Sequence, residues 1–340
     1  MIGLAKLAPG PGHVGLAERP ERDPGPGEAL LEVLGAGVCG TDLHIEADEF
    51  GSAPPVTMGH EVCGVVKVIG AGVDPGWLDA RVVSETFFST CEVCEWCRDG
   101  RPNLCPRRRS IGSFVDGAFA PRLIVPVRNL HRIPDWLDSH AAAMTEPLAC
   151  VCHCLLDPPL VTEGDDVLVA GPGPVGLLAA QVARALGGEV LVAGLPSDGR
   201  RLETAGRLGF ATAVVDAPGA FDRYADRLGA DVVIECSGSG GGATTCLEQV
   251  RRGGRYVQVG VFGKPVTVPL DRVFQTECAL TSGFASTPRS WRRALALLDR
   301  RVVDLAPLVS EIAPLASWER VFADLRAGRG IKVIFDPALL

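Results

Sequence analysis

Asp166-Val167-Leu168-Val169-Ala170-Gly171-Pro172-Gly173-Pro174-Val175-Gly176 decides the fold of this chain. Aliphatic, β-branched residues run into a Gly-x-Gly-x-x-Gly turn, and a stretch rich in Ala and Leu, predicted to be helical, follows at once. Glycines at those positions let the backbone approach a pyrophosphate, which rests on the positive end of the following helix. The pattern alone would be weak. Here further strands are expected at Val190 to Ala193, Ala213 to Val215, Val232 to Cys236 and Tyr256 to Val259, with helical stretches between the earlier ones. The reading is an α/β domain with a doubly wound parallel sheet that binds a dinucleotide through Gly171, Gly173, Pro174, Val175 and Gly176.

The acidic residue that usually holds a ribose hydroxyl, about 20 residues on, is missing where the second strand ends. Gly194 stands there, with Ser197, Arg200 and Arg201 just downstream. A site with arginines and no carboxylate accepts the extra phosphate of NADP, so the expectation for NAD(P) leans to NADP. Asp198 could still take the ribose, and the arginines could instead open a solvated helix.

Before this domain the chain is strand-rich, with strands expected from Ala29 to about Gly37, from Glu61 to Val68 and from Ala118 to Val127. Between the first two lie Cys39-Gly40-Thr41-Asp42-Leu43-His44 and Gly59-His60-Glu61. Thiolate, imidazole and carboxylate are ligand types that zinc accepts, and a catalytic zinc takes about three of them while keeping one position open. Cys39, His60 and Glu61 could supply that set, and Gly59 permits the irregular turn that adjacent His and Glu need to reach one metal. One helix is expected from Ser139 to Leu156, interrupted by Pro147. Within it Glu146 is the candidate fourth ligand and Cys150 its rival. Cys91, Cys94, Cys97 and Cys105 have the spacing of a closed, structural zinc site. Cys152, Cys154, Cys236, Cys246 and Cys278 sit among apolar neighbours as small core residues.

At 340 residues the chain is expected to form about two domains. A net charge of -8 disfavours nucleic acid, whose binding draws on basic residues. The run Arg107-Arg108-Arg109 reads as a solvated turn or, less simply, an anion contact. Apolar runs are too short and too interrupted to cross a membrane, and the start lacks the pattern of a signal peptide. With twelve cysteines in so long a chain, metal binding or buried thiols are expected rather than disulfides, and the location expected is cytoplasmic. Glu46, Asp48 and Glu49 form an acidic loop near the proposed metal pocket, solvated or attractive to an amino-substituted substrate.

Together, Gly37-Val38-Cys39-Gly40-Thr41-Asp42, Gly59-His60-Glu61, the four-cysteine lobe, Glu146-Pro147 and the Gly171 to Gly176 turn resemble the medium-chain zinc-dependent alcohol dehydrogenase family. Pairing His60-Glu61 with Glu146-Pro147 is similar to its sorbitol (L-iditol) and threonine dehydrogenase branch; simple alcohol dehydrogenases carry a cysteine where Glu146 stands. The resemblance implies a GroES-like catalytic domain over 1–147, with the zinc lobe at 88–108, a Rossmann coenzyme domain over 148–283, and a return to the catalytic domain over 284–340. It implies an active cleft at the domain junction and a tetramer or dimer. It also implies two zinc ions per subunit, with Cys39, His60 and Glu61 on the catalytic one. Glu146 would be a ligand or hydrogen-bonded to the zinc water, and Asp42 would orient a ligand histidine. Two anionic ligands already neutralise Zn²⁺, so a third would weaken the site, which favours the exchangeable role for Glu146.

In that family Thr41 would receive the substrate proton and His44, a histidine with a reference pKa of about 6.5, would relay it through the coenzyme ribose. His153 is expected to be structural, and His13, His131 and His140 receive no role. Members that oxidise sorbitol carry an arginine and an aromatic residue after the last coenzyme-domain strand. Here Gly283-Phe284-Ala285-Ser286 occupies that segment, which disfavours sorbitol itself. The expected activity is hydride transfer between NAD(P) and a secondary alcohol or ketone of a polyol, sugar, cyclitol or amino-polyol. An L-threonine 3-dehydrogenase-type activity is the alternative within enzymes, and a zinc-stabilised, non-catalytic binding protein the alternative outside them.

Overall fold

The computed structural model describes residues 1–339. They form two units: Met1–Glu146 together with the chain from Val309 onward, and Pro147–Leu308. The first unit opens with β1 (Ile2–Lys6), which pairs antiparallel with β2 (Val14–Glu18) and β4 (Val56–Thr57). Its main sheet uses β3 (Glu28–Gly37), β5 (Glu61–Ile69), β6 (Arg81–Ser84) and β10 (Leu130–Arg132), with β9 (Arg122–Pro126) also on β3. Two strands from the far end of the chain, β17 (Val309–Ala313) and β18 (Lys332–Phe335), complete the order β10-β6-β5-β3-β18-β17. A small ladder of β7 (Phe87–Ser89) and β8 (Arg109–Ser110) stands apart.

Leu4, Leu31 and Val62 from the early strands, Met58 and Phe119 from the loops between them, and Phe322 and Phe335 from the return fill one core. Phe119 and Phe335 meet edge to face, their centroids 5.1 Å apart. The C-terminal strand is therefore part of the first unit's interior. Short helices α1 (Gly40–Glu46), α2 (Glu95–Arg98) and α3 (Ser139–Ala142) decorate this unit, and α10 (Trp318–Arg326) leads towards β18.

The expected helix from Ser139 to Leu156 is two helices, α3 and α4 (Thr145–Leu156). Pro147 does not interrupt α4; it lies in the first turn, where the missing N–H has no intrahelical partner to lose.

The second unit holds six parallel strands: β11 (Asp166–Ala170), β12 (Glu189–Gly194), β13 (Ala211–Val214), β14 (Ala230–Glu235), β15 (Val250–Gln258) and β16 (Ala279–Ser282). Their order is β13-β12-β11-β14-β15-β16, so the winding reverses between β11 and β14. Helices α5 (Pro174–Ala185), α6 (Gly199–Arg207), α7 (Gly240–Gln249) and α8 (Asp271–Thr276) connect the strands, and α9 (Pro288–Asp299) follows the last. A run of parallel strands joined by helices has this doubly wound form because each crossover must be right-handed.

Residues 284–308, expected to belong to the first domain, pack in the second. Gln181 of α5 donates to the Asp304 carbonyl at 3.0 Å and accepts from its N–H at 2.7 Å, while Arg293 of α9 pairs with Asp157 at 2.6 Å. The return to the first unit begins at Val309 instead. Among the described residues no helix is long and apolar enough to cross a membrane.

Burial separates two residues near the C-terminus. Phe335→Ala should cost about 3–5 kcal/mol in urea unfolding, as a buried aromatic in a filled core does. Leu339→Ala, at a position 46% exposed, should stay within about 0.5 kcal/mol. Equal small losses would contradict a core built from the returning strand.

Candidate functional site

Cys39 ends the extended segment after β3 and caps α1, where its N–H donates to Asp42 Oδ2 at 2.9 Å. Glu61 opens β5 and His60 precedes it after Gly59, whose φ of +87° suits a residue without Cβ; a Cβ there would lie 2.4 Å from the Phe119 ring. The turn brings the Cys39 sulfur, a His60 ring nitrogen and a Glu61 oxygen within 4.8 Å of one another. Sulfur, nitrogen and oxygen donors converging at this spacing fit zinc.

Asp42 lies under the triad, fully buried, with Oδ1 3.8 Å from His60 Nδ1 and in no hydrogen bond. That carboxylate is positioned to orient the imidazole. Burial pushes the Asp42 pKa up, and the neighbouring His60 opposes it. Burial alone would lower the His60 pKa, but the Cys39 thiolate, Asp42 and Glu146 outweigh it and hold it well above the usual value. Glu146, in the first turn of α4 and 6% exposed, thus acts on the site as a nearby negative charge. Neither Glu146 nor Cys150 is among the converging donors found in the described residues.

Lys332 of β18 is the residue that sequence reading missed. Buried to 2% exposure, its Nζ donates to Glu61 Oε1 at 2.7 Å, Glu61 Oε2 at 2.9 Å and the Val38 carbonyl at 2.9 Å. Burial would lower the Lys332 pKa, yet Glu61 and Cys39 raise it overall. Each carboxylate oxygen has two lone-pair positions, so Glu61 can accept from Lys332 and still offer one to a metal. The only hint in the sequence is a lysine opening an otherwise apolar strand, Lys332-Val333-Ile334-Phe335.

On α1, the Thr41 hydroxyl is 3.7 Å from the Cys39 sulfur, and His44 Nδ1 is 2.7 Å from Glu49 Oε2. Each acid of the nearby loop has a partner: Arg326 on Glu46, the His44 imidazole on Glu49, and Lys6 3.9 Å from Asp48.

The four-cysteine group also converges within 4.8 Å. Cys91 N–H meets Cys105 sulfur at 3.4 Å, and Cys94 N–H meets Cys91 sulfur at 3.3 Å. Backbone donation, first from Val93 and then from Cys94, draws the Cys91 thiol down to about 5, the state a metal requires. The arginine run is solvated at Arg107 and Arg109, both exposed, and also touches this lobe. Arg107 hydrogen-bonds Cys91, Arg108 stacks over Phe87 at 5.2 Å, and Arg109 donates to the Phe114 carbonyl at 2.6 Å.

In the second unit the glycine turn joins β11 to α5, with Pro174 at the first helical position. Gly171 has φ of +102°, and a Cβ on it would lie 2.7 Å from Ser237 N; a Cβ on Gly176 would strike the Gly171 carbonyl at 1.9 Å. Around Gly173 a Cβ would meet nothing within 4 Å, leaving backbone open to a ligand at the start of a twelve-residue helix. These features fit a pyrophosphate. A Cβ on Gly194 would lie 2.8 Å from Pro172, so an acidic side chain there would collide with the turn itself. Asp198 is engaged locally, accepting from Leu195 N at 3.0 Å and lying 3.4 Å from Arg201. Ser197 and Arg200 are exposed.

The buried pair at the metal triad makes a stability claim. Lys332→Met should cost the metal-free protein about 3–5 kcal/mol in urea, since it strands a buried carboxylate. Adding Glu61→Gln should recover part of the loss. A single-variant change under about 0.5 kcal/mol would show that the pair contributes nothing.

The profile of the alcohol dehydrogenase GroES-like domain matches residues 25–135, and that of the zinc-binding dehydrogenase domain matches residues 174–300. A sorbitol dehydrogenase of Halalkalibacterium halodurans is 37% identical, the match covering 99% of each chain. An L-threonine 3-dehydrogenase of Cutibacterium acnes is 31% identical, again with 99% of both chains covered. Among solved structures, a zinc-binding dehydrogenase of Sinorhizobium meliloti bound to NADP superposes with a TM-score of 0.89 at 30% identity, covering 99% of each chain. Full-length similarity at this level, together with both domain matches, shows that the chain belongs to the medium-chain zinc-dependent alcohol dehydrogenase family, in its sorbitol and threonine dehydrogenase branch.

Proposed function

We propose that this chain is a zinc- and NAD(P)-dependent dehydrogenase that interconverts a secondary alcohol and a ketone on a polyol, sugar or cyclitol. The convergence of Cys39, His60 and Glu61 within 4.8 Å carries this reading. Zinc held there would supply Lewis acidity to the substrate hydroxyl, and NAD(P) would take the hydride. Lys332 holds Glu61 in register from behind, and the Asp42 carboxylate faces His60 at 3.8 Å. Glu146 stands nearby as an acceptor outside the donor triad. Thr41 receives the hydroxyl proton, and His44 passes it on. Because His44 Nδ1 faces the Glu49 carboxylate, that nitrogen carries the proton and Nε2 is the acceptor.

The acidic loop is largely engaged within the chain, Glu46 by Arg326, Asp48 by Lys6 and Glu49 by the Nδ1–H of His44, which favours a neutral substrate over an amino-substituted one. An amino-alcohol substrate remains the second reading because an L-threonine 3-dehydrogenase is among the similar full-length chains. For the coenzyme we favour NADP. Gly194 is packed against Pro172, Arg200 six residues on is exposed, and the similar Sinorhizobium enzyme was solved with NADP.

The two donor clusters support a count of two zincs per chain. None of the twelve cysteines is in a disulfide, which fits a reducing, cytoplasmic compartment. Strand β16 ends the coenzyme sheet with an open edge, Leu280 on it is 51% exposed, and Phe274 on α8 is 86% exposed. Such an edge is the natural seam of a homo-oligomer.

Formation of reduced coenzyme over a panel of polyols, sugars, cyclitols, amino-polyols and L-threonine, with NAD and NADP separately, tests the reading. Turnover of a polyol with NADP preferred is expected, and Cys39→Ser should abolish it with the unfolding midpoint retained. Full activity in that variant with metal bound would remove Cys39 from the site. Metal analysis should find about two zincs per chain. Cys94→Ser should leave about one, and loss of both or neither would contradict two independent sites.

A further inference from the structure

Glu235, the last residue of β14, is completely buried. It ends beside the point where strand order reverses, which is where open α/β sheets bind their ligands. An interior carboxylate has to be met by donors. Oε1 accepts from Ser237 N at 2.8 Å, from the Ser237 hydroxyl, and from Gly238 N at 3.1 Å. Oε2 accepts from Gln258 Nε2 at 2.8 Å, and that same nitrogen donates to the Gly260 carbonyl at 2.7 Å. Tyr256 hydroxyl, donating to Gln258 Oε1 at 2.6 Å, fixes which way the amide points.

One carboxylate therefore holds two turns, 237–239 after β14 and 258–261 after β15. They touch each other closely, since a Cβ on Gly238 would lie 2.6 Å from the Val261 carbonyl. The first also touches Gly171, whose own Cβ would meet Ser237. In a sheet wound as two mononucleotide halves, β11 to β13 with the glycine turn and Gly194 serve the adenosine side. The turns that Glu235 holds belong to the other half.

We infer that Glu235 is a positioning residue for the nicotinamide half of the coenzyme, acting through Ser237, Gly238 and Gln258 on the turns that receive it. The inference rests on the dinucleotide reading of the second unit. Glutamine at 235 would present an NH₂ group either to the Ser237 and Gly238 donors or to the Gln258 amide, so one turn must relax.

The test uses full-length, zinc-loaded protein. NADPH and NADH binding is followed by fluorescence, and binding of ADP-ribose and its 2′-phosphate by calorimetry. In Glu235→Gln the Kd for reduced coenzyme should rise about tenfold or more, the size of one lost charge-assisted hydrogen bond, while the ADP-ribose ligands stay within about twofold. Gln258→Leu should show the same selective loss, which keeps the test open if the first variant folds poorly. Parallel weakening of both ligand classes would make Glu235 a general structural residue and overturn the inference. Unchanged affinities would overturn it too. Wild-type protein that binds none of these ligands would instead overturn the dinucleotide reading and this inference with it.

Discussion

The buried ion pair between Lys332 and Glu61 is the constraint on which the first unit turns. Its partners come from β18 and β5, strands separated by most of the chain, and the ammonium also caps the Val38 carbonyl beside Cys39. Taking two charges out of water is costly, and the cost is met only when geometry is good and the remaining positions are hydrogen-bonded. Here Lys332 makes three bonds, the full capacity of an ammonium. The pair thus ties the C-terminal strand to the carboxylate that faces Cys39 and His60.

The same lysine alters the electrostatics of the site. Counting only Cys39 and Glu61, a bound Zn²⁺ would be neutralised, and its power to stabilise negative charge on a substrate oxygen would fall. A buried ammonium on the outer side of Glu61 returns one positive charge to the assembly. Asp42 and Glu146 then add negative charge around His60, behind the larger effect of Cys39 on that imidazole. The fold distributes its charges so that donors stay basic while the centre is not strongly anionic.

Legibility in the sequence followed how local each requirement was. Gly59 before His60-Glu61 and the glycines at 171 and 176 are demanded by φ or by contacts a few residues away, so the turns could be read directly. Four cysteines at close spacing define their lobe within one loop. Lys332 could not be found, because its partner is set by strand pairing across the chain. The helix after Ser139 was misjudged at its break because Pro147 is harmless in a first turn. The boundary at 284 failed since α9 is tied to Asp157 and Asp304 beyond it to Gln181, partners that lie far upstream. Gly194 was noticed as a missing acid; that Pro172 occupies the space needed the third dimension.

X-ray absorption at the zinc edge, on Cys94→Ser protein that retains one metal, tests the central claim most directly. A centre built by Cys39, His60 and Glu61 predicts about one sulfur with nitrogen and oxygen completing the shell, at distances of about 2.3 Å for sulfur and about 2.0–2.2 Å for the rest. Two or more sulfurs, or none, would contradict it.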